Sequence, residues 1–285
     1  MRTYAVQAHA KINLFLDVIG KRADGYHDLV SVMQSLELCD DLEFRAHGNG
    51  VTFEVEDAPD GFPLDDTNLV MKAAKFLLDK YKIPDGVAVN MKKRIPMGAG
   101  LGGGSSDCAA TLHGINELFD LKIPLTELMQ MGQKFGADVP FCVLGGTALA
   151  EGIGEKLAPL PPHPSCHIVL ACPEIHVSTA EIFAKLDLNK KNSQHEKFIS
   201  AYKTKNIKNI SSNFYNIFTP ITAPIHPQIT NLITQLNNLG AVNASMTGTG
   251  SAVFGYFENE SDAIAACDKI DAKTFVTKPK TVGTL

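Results

Sequence analysis

Residues Pro96–Ala110 read PMGAGLGGGSSDCAA, and the fold turns on how this stretch is understood. Gly98, Gly100 and Gly103 satisfy the dinucleotide spacing G-x-G-x-x-G letter for letter. That fingerprint also needs a buried strand running into the first glycine, a βαβ unit of about 30 residues and an acidic residue about 20 positions on. Here Lys92, Lys93, Arg94 and Pro96 separate the strand-like GVAVNMKKRI from Gly98, and a long helical pattern to Asp120 follows. The P-loop spacing fails as well, because Gly104, not lysine, comes after Gly103.

The glycines still need a cause, since five of the seven residues Gly98–Gly104 are glycine. Each loses more backbone entropy on folding than any alternative, so their density marks close approach of backbone to a ligand. Amides without side chains at a helix N-terminus, which carries roughly half a positive charge, suit an anion such as a phosphate. Ser105 and Ser106 stand at the helix start, as N-caps or as hydroxyls for phosphate or magnesium, and the two roles are compatible. Cys108 packs behind the loop, where the helix dipole could raise its reactivity.

Upstream, YAVQAHAKINLFLDVIG puts Tyr4, Val6, Ala8, Ala10, Ile12, Leu14, Leu16 and Val18 at alternate positions, with His9, Lys11, Asn13 and Asp17 between them. The pattern predicts a half-buried strand with one polar face. Alternation over Leu29–Phe44 and in VTFEVE predicts a meander of strands. A helix through Tyr81 follows, capped by Asp66 or Thr67, with Leu69, Val70, Ala73, Phe76 and Leu77 inward. The glycine stretch therefore joins a strand to a helix headed by Ser105 or Ser106, whose Cys108, Leu112, Ile115 and Phe119 fall at helical spacing.

Pro159, Pro161, Pro162 and Pro164 can continue neither a helix nor a central strand, and they divide the chain into units of residues 1–160 and 161–285. Beyond them come a strand (CHIVLAC), a helix headed by Ser178 or Thr179, a solvated lysine-rich stretch from Asn189 to Lys208, a helix around PQITNLITQLNNL, and strand-like SAVFGYF before a last helix. Such mixed order reads as α+β, not as a doubly wound parallel sheet.

Composition narrows the partners. A net charge of −5 gives no reason to bind nucleic acid or an anionic membrane, and the lysines between Lys185 and Lys208 lack the interleaved aromatics of a stacking platform. The six cysteines never form C-x-x-C, which favours buried free thiols over disulfides or zinc ligands. No segment reaches the roughly 18 apolar residues of a membrane span, and Lys11, Asn13 and Asp17 interrupt any N-terminal signal core, so a cytoplasmic protein is expected.

PMGAGLGGGSSDCAA resembles the second motif of the GHMP kinases, small-molecule kinases whose glycine loop wraps the triphosphate of ATP without a P-loop lysine. AHAKINLFLDV is similar to their first motif and MTGTGSAVF (Met246–Phe254) to their third, in the same order along the chain. The resemblance implies a two-domain fold, the first domain like domain 2 of ribosomal protein S5 and the second ferredoxin-like. AKINLFLDVIGKRADGYHDL, GLGGGSSD and FGADVPFCVLGGTALAEGIGE narrow it to members that phosphorylate a cytidine diphosphate sugar alcohol for isoprenoid precursor synthesis. A homoserine or mevalonate-type kinase would share the glycine loop and lack the cytosine-reading residues. A dehydrogenase and a non-catalytic RNA-binding relative are the remaining alternatives.

Taken alone, Lys11 is a lysine on an open strand face, and Asp138 is a carboxylate without a charged neighbour in GADVPFCVLGG. It must find a partner, and Lys11 would supply one; the alternative is a turn aspartate. The resemblance makes them the catalytic pair, with the aspartate as base and the lysine stabilising charge. It assigns ATP to Pro96, Met97, Gly98, Ala99, Gly100, Leu101, Gly102, Gly103, Gly104, Ser105 and Ser106. Asn68 lies near the adenine or simply caps a helix. RADGYHDL reads as a loop turning at Asp24-Gly25, and an exposed tyrosine there could be only a rim residue. By resemblance Tyr26 stacks on the cytosine, His27 reads its edge and Phe183 completes the sandwich, with Asn13 also on the substrate side. Thr247 and Gly248, with Thr249 and Gly250, would close the site at the substrate diphosphate or the ATP phosphates, unless they form a bare hairpin turn. ATP would arrive with Mg²⁺, whose protein ligands the sequence leaves unknown.

Overall fold

The computed structural model describes residues 2–188 and 194–281. β1 (Thr3–Lys21) and β2 (His27–Ala46) form a long antiparallel hairpin. β3 (Val51–Glu56) does not extend a meander. It runs parallel to β4 (Val87–Lys92), and β4 pairs with the second half of β2. Parallel neighbours need a crossover of a dozen or more residues, and α1 (Leu69–Lys80) lies within it. α2 (Gly103–Leu118), α3 (Leu125–Gly132) and α4 (Val139–Leu144) follow, then β5 (Thr147–Gly152), which pairs with the first half of β2, and β6 (Lys156–Pro159), which pairs with β5.

Residues 160–166 are irregular and lead to β7 (His167–Cys172), α5 (Thr179–Ala184), α6 (His195–Lys203) and α7 (Ile207–Ser211). The stretch read as a solvated loop therefore holds α6 and the start of α7, with Phe198 and Tyr202 of α6 buried; residues 189–193 of it lie outside the described residues. β8 (Tyr215–Asn216) returns to the first sheet, parallel to β1. α8 (Thr219–Ile225), α9 (Pro227–Asn238), β9 (Asn243–Met246), β10 (Val253–Phe257), α10 (Glu260–Cys267) and β11 (Lys273–Thr277) complete the chain. The first sheet runs β3-β4-β2-β1-β8. The second is antiparallel in the order β11-β7-β10-β9, with α9 before β9 and α10 before β11, which is the ferredoxin-like arrangement.

Period-2 alternation sorts the cores. Val6, Ala8, Leu42, Phe44, Val89 and Met91 face α1 to α4. Ile168, Leu170, Phe254 and Tyr256 of the second sheet turn toward Ile12, Leu14 and Val32 of the first, whereas Val169, Ala171, Val253 and Phe257 turn to α9 and α10. Because the second sheet covers it, β1 is buried on both faces from Ala10 to Val18. Lys11, Asn13, Phe15 and Asp17 are all buried. A register shift between His9 and Lys11 also separates two residues that alternation put together: His9 lines the open face with Asp41 and Glu43, and Lys11 turns inward.

Two helix starts differ from expectation. Asn68, not Asp66 or Thr67, caps α1: its Oδ1 accepts the Val70 amide at 2.8 Å, while Thr67 is tied to Asp65. α2 begins before the serines, at a Gly102 cap with φ +70°, a left-handed conformation that glycine reaches without steric cost.

Candidate active site

Three segments converge on β1. The Lys11 amide donates to the Leu101 carbonyl at 2.9 Å, which lays the glycine stretch across the strand. A Cβ on Gly102 would stand 2.8 Å from Lys11 Cγ, and one on Gly100 would stand 2.6 Å from the Thr247 carbonyl. These two glycines admit β1 and the third motif, so the need for bare backbone is partly internal. From the other side the Ala252 amide donates to the Ala99 carbonyl at 3.0 Å.

Asp138 sits at the N-cap position of α4, makes no capping bond, and places Oδ2 3.2 Å from Lys11 Nζ. The structure thus brings together the two charges that sequence paired. Lys11 is buried but the Asp138 side chain is 34% exposed, so this carboxylate is wetter than its apolar neighbours implied. Lys11 Nζ also donates to Asn13 Oδ1 at 2.9 Å.

Two clefts meet here. The smaller, about 400 Å³, is lined by Asn68, Pro96, Met97 and Gly98 through Ser105, with Phe62, Pro63, Lys93 and Asp107. Ala99 and Leu101 turn their side chains into the core, so they offer backbone to it. Ser106 does not belong to its lining: the side chain is buried and Oγ donates to the His9 carbonyl at 2.7 Å, because the helix turn that aims Ser105 outward aims Ser106 at β1. Asn68 lines this cleft and caps α1 at once. The larger cleft, about 920 Å³, is lined by Lys11, Asn13, Tyr26, His27, Asp138, Thr179, Phe183, Gly248 and Thr249 among others. Gly100 and Ser105 belong to both.

At the far end of the larger cleft the His27 and Phe183 rings lie 5.2 Å apart, Phe183 rests on Phe218 at 4.6 Å, and Tyr26 stands 60% exposed. The loop presenting them is tied down: Asp24 Oδ1 accepts the Tyr26 amide at 3.1 Å and Gly25 has φ +90°. Thr247 is fully buried with its hydroxyl facing Asn13, so only its neighbours Gly248 and Thr249 reach the cleft.

Sequence reasoning missed a second charged group behind the glycine loop. Lys93 is buried against Asp40 and against Asp107, the latter at 2.8 Å. Asp40 Oδ1 also accepts the amides of Arg94 and Ile95, the residues that lead into the loop. Burial opposes the Lys93 ammonium, yet the two carboxylates hold its pKa above the ordinary value. Burial, opposed by Lys93 and reinforced by Asp40, pushes the Asp107 carboxyl up to about 8, and its Oδ1 has no hydrogen-bond partner. The available signal was a lone acid on the otherwise apolar face of a helix. Burial likewise pushes the Cys108 thiol well up, which overrides any activation by the helix dipole.

The model for the GHMP kinases N terminal domain matches residues 68–146 and that for the GHMP kinases C terminal domain matches residues 198–277. The chain belongs to the GHMP kinase family. It is a small-molecule kinase, and GHMP kinases use ATP. It is 42% identical to the 4-diphosphocytidyl-2-C-methyl-D-erythritol kinase of Acetivibrio thermocellus, covering 98% of this chain and 99% of that protein. The enzyme of the same name from Lachnospira eligens is also 42% identical, over 93% and 92%. Among solved structures, a 4-(cytidine 5'-diphospho)-2C-methyl-D-erythritol kinase superposes with a TM-score of 0.83 at 30% identity, over 97% of this chain and all of that one. Homoserine kinase from Cytophaga hutchinsonii, at 18% identity and a TM-score of 0.77, shares the fold. Among the described residues, no helix of the kinase is long and apolar enough to cross a membrane, and no group of three or more His, Cys, Asp or Glu side chains could hold a metal ion.

Proposed function

We propose that this kinase transfers the γ-phosphoryl group of ATP to the 2-hydroxyl of 4-diphosphocytidyl-2-C-methyl-D-erythritol, giving the 2-phosphate and ADP, in the methylerythritol phosphate route to isoprenoid precursors. In this reading residues 1–160 hold the nucleotide and residues 161–285 close the site. The observation that carries it is a single cleft lined both by Tyr26, His27 and Phe183 and by the Lys11–Asp138 pair, sharing Gly100 and Ser105 with the glycine-lined cleft.

Phosphoryl transfer asks the protein mainly for alignment and charge neutralisation. ATP lies in the smaller cleft, its phosphates at the amides of Gly102–Ser105, where the N-terminus of α2 adds partial positive charge. The cytosine sits against the aromatic end, which directs the erythritol hydroxyls toward Asp138. Asp138 accepts the proton of the attacking hydroxyl, and Lys11, held by Asp138 and Asn13, faces the charge that develops on the transferred group. Mg²⁺ would arrive with ATP, where it would supply positive charge to the phosphates and keep several of its waters. The Ser105 hydroxyl, shared by both clefts, is the side chain that would meet the ion.

An ADP-release assay comparing the diphosphocytidyl substrate with homoserine and mevalonate tests the reading. Turnover is expected only with the cytidine compound. Equal turnover with either of the others would remove the role given to Tyr26, His27 and Phe183.

A further inference from the structure

Asn13 lines the larger cleft, but its side chain is 3% exposed and surrounded by protein groups. Its Oδ1 receives Lys11 Nζ at 2.9 Å, the Gly248 amide at 3.2 Å and the Thr247 hydroxyl at 3.2 Å. Its Nδ2 donates to Ser31 Oγ at 2.9 Å. Ser31 gives its one hydrogen to the Phe15 carbonyl at 2.8 Å, so toward Asn13 it can only accept. That decides which end of the Asn13 amide faces Ser31, and it leaves the carbonyl oxygen on Lys11.

Thr247 holds the same residue from the second unit. Its hydroxyl accepts the Asn13 backbone amide at 3.0 Å and has a single hydrogen, with Asn13 Oδ1 at 3.2 Å and the Gly100 carbonyl at 3.4 Å as acceptors. One buried hydroxyl thus touches the strand that carries Lys11 and the loop assigned to the nucleotide. Neither Thr247 nor Ser31 pairs with a charge directly. Both act on the ammonium through Asn13.

We infer that Thr247 and Ser31 are positioning residues that lock the Asn13 amide with its carbonyl toward Lys11, so that the ammonium is correctly placed only when the Met246–Phe254 turn is seated on the glycine loop. This rests on the catalytic reading of Lys11 above. Its distinctive consequence is that losing either hydroxyl slows turnover and leaves binding nearly intact, because Thr247 lines neither cleft and the Ser31 hydroxyl, at the wall of the larger one, is already engaged by Phe15 and Asn13.

The test is steady-state kinetics of Thr247→Val, Thr247→Ser and Ser31→Ala, each checked by thermal melting. Thr247→Val should lower kcat about tenfold, as the loss of one buried hydrogen-bonding anchor implies, with KM for ATP and for the cytidine substrate nearly unchanged. Thr247→Ser should restore kcat, and Ser31→Ala should lower it as Thr247→Val does. If Thr247→Val does not fold, Ser31→Ala decides on the same terms. A folded Thr247→Val enzyme with unchanged kcat, a loss carried by KM, or a loss that Thr247→Ser does not restore would overturn the inference. Failure of the unaltered kinase to release ADP with the cytidine substrate would instead overturn the functional reading beneath it.

Discussion

Two lysines serve the glycine loop from opposite sides, and their surroundings differ. Lys11 meets one carboxylate, itself a third exposed, and one amide; Lys93 meets two carboxylates, both buried. The front pair leaves Asp138 open to the larger cleft. The rear group holds β2, the approach to the loop and the first turns of α2 in one place through Asp40, Lys93 and Asp107. Singly paired and wet suits chemistry; doubly paired and dry suits anchoring. Charge pairing alone does not tell the two apart, whereas burial and the number of partners do.

The difference is sharpest in what substitution should do. Asp138→Asn is expected to lower kcat by ~10²- to 10⁴-fold with the melting temperature nearly unchanged, as removal of a general base implies; normal turnover would take Asp138 out of the mechanism. Lys93→Met should act on stability, because it strands Asp40 and Asp107 in the interior. Breaking such a group costs about 3–5 kcal/mol, a drop of roughly 10 °C by thermal melting. A melting point close to that of the parent would show that the rear group is not an anchor.

Smaller effects separate the regions further. Tyr26→Ala removes an exposed stacking plate worth ~1–3 kcal/mol, so KM for the cytidine substrate should rise about tenfold while that for ATP stays put; equal rises would sink the cytosine assignment. The last expected effect is a pH dependence at Asp107, whose carboxyl burial raises above the value of about 4 that it has in an unfolded chain. The folded state then keeps a proton that the unfolded state releases, so the stability this contributes is complete below about pH 4 and is lost as pH rises. Asp107→Asn, neutral at every pH, should therefore gain on the parent in melting temperature as pH is raised from about 4 to about 8.5. A gap independent of pH would mean that Asp107 carries no extra proton.

Much of this site was legible in the sequence, and the losses have physical causes. The three motifs named the glycine loop and Lys11, and the stretches around RADGYHDL and FGADVPFCVLGG named Tyr26, His27 and Asp138, because each depends on local residue types at fixed spacing. Burial of Asn13, Asp17 and Thr247 was not legible, since it comes from a second sheet laid over the first by residues more than a hundred positions away. The split of His9 from Lys11 needed a register shift that no alternation pattern records. Lys93 was visible only as an obstacle to the dinucleotide fingerprint; its partners lie 53 and 14 residues off. Ser106 was grouped with Ser105 by adjacency, which on a helix turns the two about 100° apart.

The two-residue strand β8 has a consequence for the order in which the protein can be made. β1 offers one edge to Tyr215 and Asn216, beside Phe15 and Leu16, and these arrive about two hundred residues later in synthesis. Until then the nascent first sheet exposes unpaired amides and carbonyls along an apolar segment, a template for pairing with another chain. During translation the edge at Phe15 and Leu16 is therefore open to such pairing until Tyr215 and Asn216 cover it.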